Sequence, residues 1–527
     1  MLGIRDSLND RKKRNVCNVN IIPKHNKSDD TKGIKASRET LLPIINKMEE
    51  SLKKDTIKGV GWSAVDNVLK FAVTFVVSIL LARLLSPDDY GLIGITAIFT
   101  TICKALTDGG FVSALIRKND VTDDDYNTAF IANFSISVLL YITIFIGSSS
   151  ISRFFGRHEL ISLIRVASFG IVLGAVAFVP RARLTKAIDF KTQAVVTSIA
   201  SLSSGIIGVV LAFAGAGVWA LVSQGLFNQF ADSFGLWYYC KWKPSFTFSS
   251  KSFHNLFGFG WKMMLSQLIN TTWSEIFQGV IAKFYNPATL GQYTRAGQFS
   301  SLFSSNLTKV IQRVTYPVLS KIQSDKSQMV SVYRNMIKIT MFITAISMLF
   351  LAGISEPLLY CLIGSKWSEA AKYLPILCLT GSLYPLHAFN LNMLQVEGRS
   401  DLFLLREIIE KIIDIIPIFI GIYIGIMPML YAGLFTNIID YFINSYYSGK
   451  SIGYSSWKQI QDVLPHYCIA SIVFLSIYFL KFIPLSYWII LPLQSIVGTI
   501  VIIVICKALK MKEYIILYEL TKSYIHK

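Results

Sequence analysis

Charge is what this sequence has least of. Asp, Glu, Lys and Arg make up 16% of its 527 residues, against about a quarter in soluble globular proteins. With 53% hydrophobic residues and a mean hydropathy of +0.50, a soluble domain of this length is excluded and a polytopic membrane protein is indicated. The alternating segments of an outer-membrane barrel are missing, so the spans are helical. Cysteine is also sparse, at 7 residues, and no CxxC occurs. That removes a disulfide framework and a metal site. Cys103, Cys361, Cys378, Cys468 and Cys506 lie in or beside apolar runs and read as packing residues. There is no HExxH, no nucleophile–base–acid set and no pair of carboxylates in a soluble loop. Ser448-Gly449-Lys450-Ser451 resembles the end of a phosphate-binding loop, but position 444 is Asn where that loop requires glycine. No enzyme activity, metal or other cofactor is expected. The formal charge of +19 comes with no zinc pattern or recognition helix, so nucleic acid is not an expected partner.

What is present is organised around residues 59–116. Val60 to Leu85 is long enough to cross a bilayer, which takes about 20 apolar residues. Ser86-Pro87-Asp88-Asp89 breaks the run, and Tyr90-Gly91 begins a second one. Ser63, Asp66, Asn67, Lys70, Thr74 and Ser78 recur every three or four residues and share one helix face. Thr96, Thr100, Lys104, Thr107 and Asp108 form a second such stripe. A polar stripe in a membrane helix faces partner helices or a water-filled cavity.

Further spans are placed near 126–150, 163–182, 194–214, 218–240, 258–282, 290–318, 335–354, 373–394, 407–425, 428–447, 465–482 and 486–506. The total is about fourteen. Residues 290–318 are too polar for a hydropathy window; Gln298, Ser301, Ser305, Thr308 and Gln312 on one face place a helix there. Lys and Arg collect in alternate loops, which puts both termini in the cytoplasm. Residues 1–55 are polar and mixed in charge, a composition that reads as a disordered cytoplasmic tail, without the apolar core of a secretory signal. Residues 1–47 are either a start assigned too early, before Met48, or a loose tail. The expected division is 56–250 and 251–450 as two six-helix lobes, with two more spans and a basic cytoplasmic tail in 451–527.

An internal repeat supports that division. FGFGW at 257–261 echoes KGVGW at 58–62. Ala82-Arg83, Pro87, Gly91 and Phe99 recur as Ala282-Lys283, Pro287, Gly291 and Phe299. Six spans separate the copies, so both insert the same way, a parallel repeat about the membrane normal.

Taken together, LARLLSPDDYGLIGITAIF, GGFVSALIRKNDVTDDDYNTAF, RFFG at 153–156, VPRARL at 179–184 and Lys366-Trp367 resemble the polysaccharide transporter family. This is the O-antigen, lipopolysaccharide and teichuronic-acid flippase branch of the multidrug/oligosaccharidyl-lipid/polysaccharide exporter superfamily. The likeness runs from about Met48 to about Tyr447. It implies an all-α membrane protein with two six-helix lobes around a central cavity and two extra C-terminal helices. It also implies a substrate made of an oligosaccharide on a polyprenyl diphosphate, and a place in the bacterial cytoplasmic membrane among membrane lipids and other polysaccharide-assembly membrane proteins.

The repeat pairs the first two spans with the seventh and eighth, and the seventh carries its own stripe, Gln267, Asn270, Thr271, Ser274 and Gln278. Four stripes turned toward one another make a hydrophilic cavity; four stripes packed into their own lobes make buried hydrogen bonds. Diphosphate calls for cationic donors. Lys70, Lys309, Arg313, Lys104 and Arg295, with Asn67, Asn270 and Gln298, are the candidate substrate-binding residues. Asp66, Asp108 and Glu275 are candidates for ion pairing or for carrying coupling charge; Arg313 has snorkelling to the inner interface as its alternative. The expected function is flipping of lipid-linked oligosaccharide by alternating access. A multidrug or cation antiporter would want a carboxylate-dominated cavity, and a polysaccharide polymerase a large external loop.

Overall fold

The computed structural model describes residues 73–525 apart from 109, 119, 241, 246, 323–324 and 397–398. Among the described residues the regular structure is helical. Eight helices are long and apolar enough to cross a membrane, the most apolar being Tyr487–Ala508. The first group comprises α1 (Val73–Leu84), α2 (Pro87–Asp108), α3 (Phe111–Arg117), α4 (Asp123–Phe155), α5 (Leu160–Ala167), α6 (Phe169–Lys186), α7 (Phe190–Phe213) and α8 (Val218–Cys240). The second comprises α9 (Ser250–Phe284), α10 (Pro287–Lys321), α11 (Lys326–Gly353), α12 (Ser355–Ile363), α13 (Ser368–Ser382), α14 (Tyr384–Val396), α15 (Ser400–Ile413), α16 (Ile415–Tyr423) and α17 (Ile426–Ile452). Then come α18 (Ser456–Tyr478), α19 (Tyr487–Ala508) and α20 (Lys512–Ile525).

The helix starts follow from local chemistry. Pro87 and Pro287 sit at first helical positions, where a missing N–H costs nothing. Asn286 caps α10 by accepting from the Thr289 amide at 2.7 Å. Thr122 and Asp125 form a reciprocal capping box at α4, satisfying two amides that the helix leaves open. Asp189, Ser249, Asp325 and Ser455 cap α7, α9, α11 and α18.

Three expected spans are each divided in two. The stretch near 163–182 breaks at Ser168, that near 373–394 at Leu383, and that near 407–425 at Asp414. Ser168, Leu383 and Asp414 keep right-handed helical angles, so the helical course resumes directly after each break. The polar stretch near 290–318 is the 35-residue α10. The basic tail carries α20, whose Tyr514 and Leu517 pack with Ile469 and Cys506.

The two groups meet along α2, α9 and α10. At one end the backbones touch through a reciprocal pair of glycines. A Cβ on Gly91 would lie 1.7 Å from the Pro287 carbonyl oxygen, and one on Gly291 would lie 2.0 Å from that of Pro87. Just past the other end of α2, Gly110 and Gly260 face each other; a Cβ on either would fall within 2.8 Å of the other's backbone. The 22 residues of α2 span about 33 Å at 1.5 Å per residue, so the two close approaches lie roughly a hydrocarbon thickness apart.

Candidate functional site

Polar bonds between the groups gather at the Gly91–Gly291 end. From α1, Arg83 donates through Nε to the Leu362 carbonyl at 2.6 Å and through Nη2 to that of Cys361. Lys366 donates back to the Arg83 carbonyl at 2.7 Å, and the Trp367 indole donates to that of Ala82 at 2.9 Å. The reciprocal bond comes from Lys283 at the end of α9, whose ammonium donates to the Phe154 carbonyl at the end of α4 and lies over the Phe154 ring. Arg83 and Lys283 stand 200 positions apart, and each caps carbonyls on the opposite group.

Arg295 fills the space beneath this clasp. It is 3% exposed. Its Nη1 donates to Ser78 of α1 at 2.6 Å and to Gln298 at 2.7 Å, and its guanidinium lies 4.1 Å from the Tyr90 ring centroid. A desolvated cation over an aromatic face gains roughly 2 kcal/mol. The sequence-derived substrate contact Arg295 is therefore a tie between the helix groups in this structure. Gln298 is half of the same tie. Thr74, Ser78, Gln298 and Leu302 line a gap of only about 40 Å³ between the groups.

The larger cavities lie inside each group. In the first, about 280 Å³ opens between α2, α6 and α8, lined by Thr96, Thr100, Lys104, Thr107, Gln229 and the bare glycines Gly170, Gly174 and Gly225. In the second, about 400 Å³ opens between α10, α14, α15 and α17, lined by Ser305, Thr308, Tyr384, His387, Arg406, Glu410, Asn437, Asp440 and Asn444. Arg406 pairs with Glu410 at 2.7 Å and donates to Asn444 at 3.0 Å. Asn444 in turn donates to Glu410 at 2.7 Å and lies 2.9 Å from His387 Nδ1.

The sequence-derived site divides accordingly. Lys104 lines the first cavity. Asn270 is exposed, and Glu275 accepts from Gln278 one turn along at 2.8 Å. Asp66, Asn67 and Lys70 lie outside the described residues. Asp108 ends α2, and Lys309 and Arg313 lie on α10, where only the backbone is described. Close backbone approaches draw the groups together near both ends of α2, and a narrow gap lies between them. Sequence reasoning missed His387, Arg406, Glu410 and Asp440. Glu410 and Asp440 were visible as ionisable residues inside the apolar stretches 407–425 and 428–447, with Arg406 just ahead of the first.

Residues 80–372, more than half of the chain, match the family model described as "Polysaccharide biosynthesis protein". The chain belongs to that family. Within it, the chain is similar to the succinoglycan biosynthesis transport protein ExoT of Rhizobium meliloti, at 26% identity over 64% of this chain and 68% of the relative. It is also similar to the teichuronic acid biosynthesis protein TuaB of Bacillus subtilis, at 24% identity over 67% and 73%. Among solved structures, the lipid II flippase MurJ in an inward closed conformation matches with a TM-score of 0.69 at 18% identity, over 84% of this chain and 97% of that one. An inward-facing multidrug resistance MATE transporter matches at 0.59 and 15% identity. At these identities the two structures share its fold. This member of the polysaccharide biosynthesis family is thus a multi-pass helical membrane protein with the fold of those two structures.

Proposed function

We propose that the protein is a flippase that moves polyprenyl-diphosphate-linked oligosaccharide across the bacterial cytoplasmic membrane for surface polysaccharide assembly. It is a transporter and not an enzyme. Residues 56–250 and 251–450 are its two six-span lobes, related by the parallel repeat, and the two spans of 451–527 bring the count to fourteen. Both termini are cytoplasmic, which places the Arg83–Lys283 clasp at the outer face and Gly110–Gly260 at the inner face. The observation that carries the reading is a cavity in each lobe, the first opening between the second, fourth and sixth spans and the second between the second, fourth, fifth and sixth. Polar space built into both halves of a membrane bundle suits a large hydrated headgroup, while the polyprenyl tail stays in lipid.

The names of ExoT and TuaB, and the lipid II flippase title of the MurJ structure, agree with this substrate class. Lys104 is the cation of the first cavity and is placed to meet the diphosphate, a task Lys performs as a point charge. Rocking of the lobes would part the outer clasp as the inner contact closes, and the reverse. Deleting the gene tests the reading. Lipid-linked oligosaccharide should accumulate on the cytoplasmic leaflet while surface glycan falls, measured by mass spectrometry of extracted lipids. Unchanged lipid intermediates together with unchanged surface glycan refute it.

A further inference from the structure

Asp440 is the odd member of the larger cavity. Its neighbours bond to one another: Arg406 to Glu410 and Asn444, Asn444 to Glu410 and His387, and His387 Nε2 lies 3.3 Å from Asn437. Asp440 is 7% exposed, and its Oδ1 is buried with no hydrogen-bond partner among the described residues. A buried carboxylate oxygen is costly to leave without a donor, so a donor from outside the chain belongs there. Arg406 is engaged by Glu410 and Asn444, and Asp440 adds a second carboxyl group to this lining, whereas the first cavity has Lys104 in its lining. The second is therefore a poor seat for diphosphate or for an acidic sugar.

A bare cation is a poor fit as well. The cavity of about 400 Å³ falls within the roughly 300–1,000 Å³ of small-molecule sites. Among the described residues no three His, Cys, Asp or Glu side chains gather as metal ligands. A ligand rich in hydroxyl donors fits better, with Asn437 offering an amide group and Tyr384, 42% exposed at the rim, offering a ring face.

We propose that the cavity between α10, α14, α15 and α17 is a subsite for an uncharged sugar unit of the transported glycan, with Asp440 accepting a hydrogen bond from a sugar hydroxyl. The proposal rests on the flippase reading and deepens it: the diphosphate lies toward the first lobe and the adjoining sugar toward the second.

The test uses the full chain purified in detergent and native mass spectrometry. The probes are undecaprenyl diphosphate, its glucose-bearing form and its glucuronate-bearing form. Wild type should prefer the glucose form over the bare carrier by about tenfold, the scale of one buried hydrogen bond. It should not prefer the glucuronate form. Asp440→Ala should bring the glucose preference near unity and leave bare-carrier binding unchanged. Asp440→Asn, which keeps the shape and an acceptor oxygen, should lower the preference at least about threefold, and it decides the matter if the alanine variant fails to fold. Equal binding of the bare and glucose forms by wild type overturns the sugar subsite and leaves the flippase reading standing. Binding of none of the three overturns the flippase reading itself. An unchanged glucose preference in the variants, with loss of a stabilisation specific to sodium over choline chloride, makes this a cation site and overturns the proposal; so does an unchanged preference alone.

Discussion

Substituting Gly91 tests whether the outer contact is a gate. In Gly91→Ala the new Cβ would lie 1.7 Å from the Pro287 carbonyl oxygen and 2.2 Å from its carbon, where real Cβ contacts stay beyond 3.0 Å. Both obstructing atoms are backbone at the start of α10, so no rotamer change relieves the overlap. Either α2 and α10 part by more than an ångström or the strain stays in the closed state. Overpacking of this kind costs about 1–3 kcal/mol, which lowers the ratio of outer-closed to outer-open protein by about 5- to 150-fold. The reporter is Thr74→Cys, at the narrow gap beneath the clasp, in a cysteine-free background. Intact cells are labelled with a membrane-impermeant maleimide. Labelling should rise in Gly91→Ala and also in Gly291→Ala, whose clash is with the Pro87 carbonyl at 2.0 Å. Gly147→Ala is the control, since nothing lies within 4 Å of its added Cβ. Equal labelling in Gly91→Ala and wild type, at equal protein levels, would falsify the gate.

Lys104→Gln should lower export of lipid-linked glycan at least about tenfold with normal protein levels, and Lys104→Arg should retain part of it; quantified surface glycan and membrane immunoblots separate this from misfolding. Asp462→Asn should destabilise the seat of α18 on α11. It removes the charge and one of the two oxygens shared by Arg334, Lys338 at 3.0 Å and the Tyr454 hydroxyl at 2.7 Å, a loss of about 1–3 kcal/mol that thermal unfolding in detergent would register as a lower midpoint. An unchanged midpoint refutes that anchoring role. Arg83→Ala should raise Thr74→Cys labelling, because the carbonyls of Cys361 and Leu362 lose their donor; Arg83→Lys should restore part of the closure, and no change in labelling counts against the clasp.

Much of the helix plan was legible in the sequence, for local reasons. Ser86-Pro87 and Asn286-Pro287 both end one helix and open the next, because proline suits a first turn, where its missing N–H costs nothing. The 35-residue α10 was readable through its polar face where hydropathy alone failed. The breaks at Ser168, Leu383 and Asp414 fall within single expected spans, although Pro385 and Pro417 stand just past the last two.

The candidate site was less legible than the helices. Periodicity states which residues share a face, but not how far that helix is rotated, how deep it sits or which helix it meets. By itself the sequence determined a membrane-embedded all-helical chain, its family, and the 200-residue spacing that brings Arg83 and Lys283, or Gly91 and Gly291, to comparable positions. Only the tertiary structure decided that Arg295 is held between Ser78, Gln298 and the Tyr90 ring, and that Asp440 Oδ1 has no partner among the described residues while Arg406 pairs with Glu410. The physical reason is that a charge's role in a bilayer depends on its partners. Those partners come from helices tens to hundreds of residues away, joined only when the bundle closes.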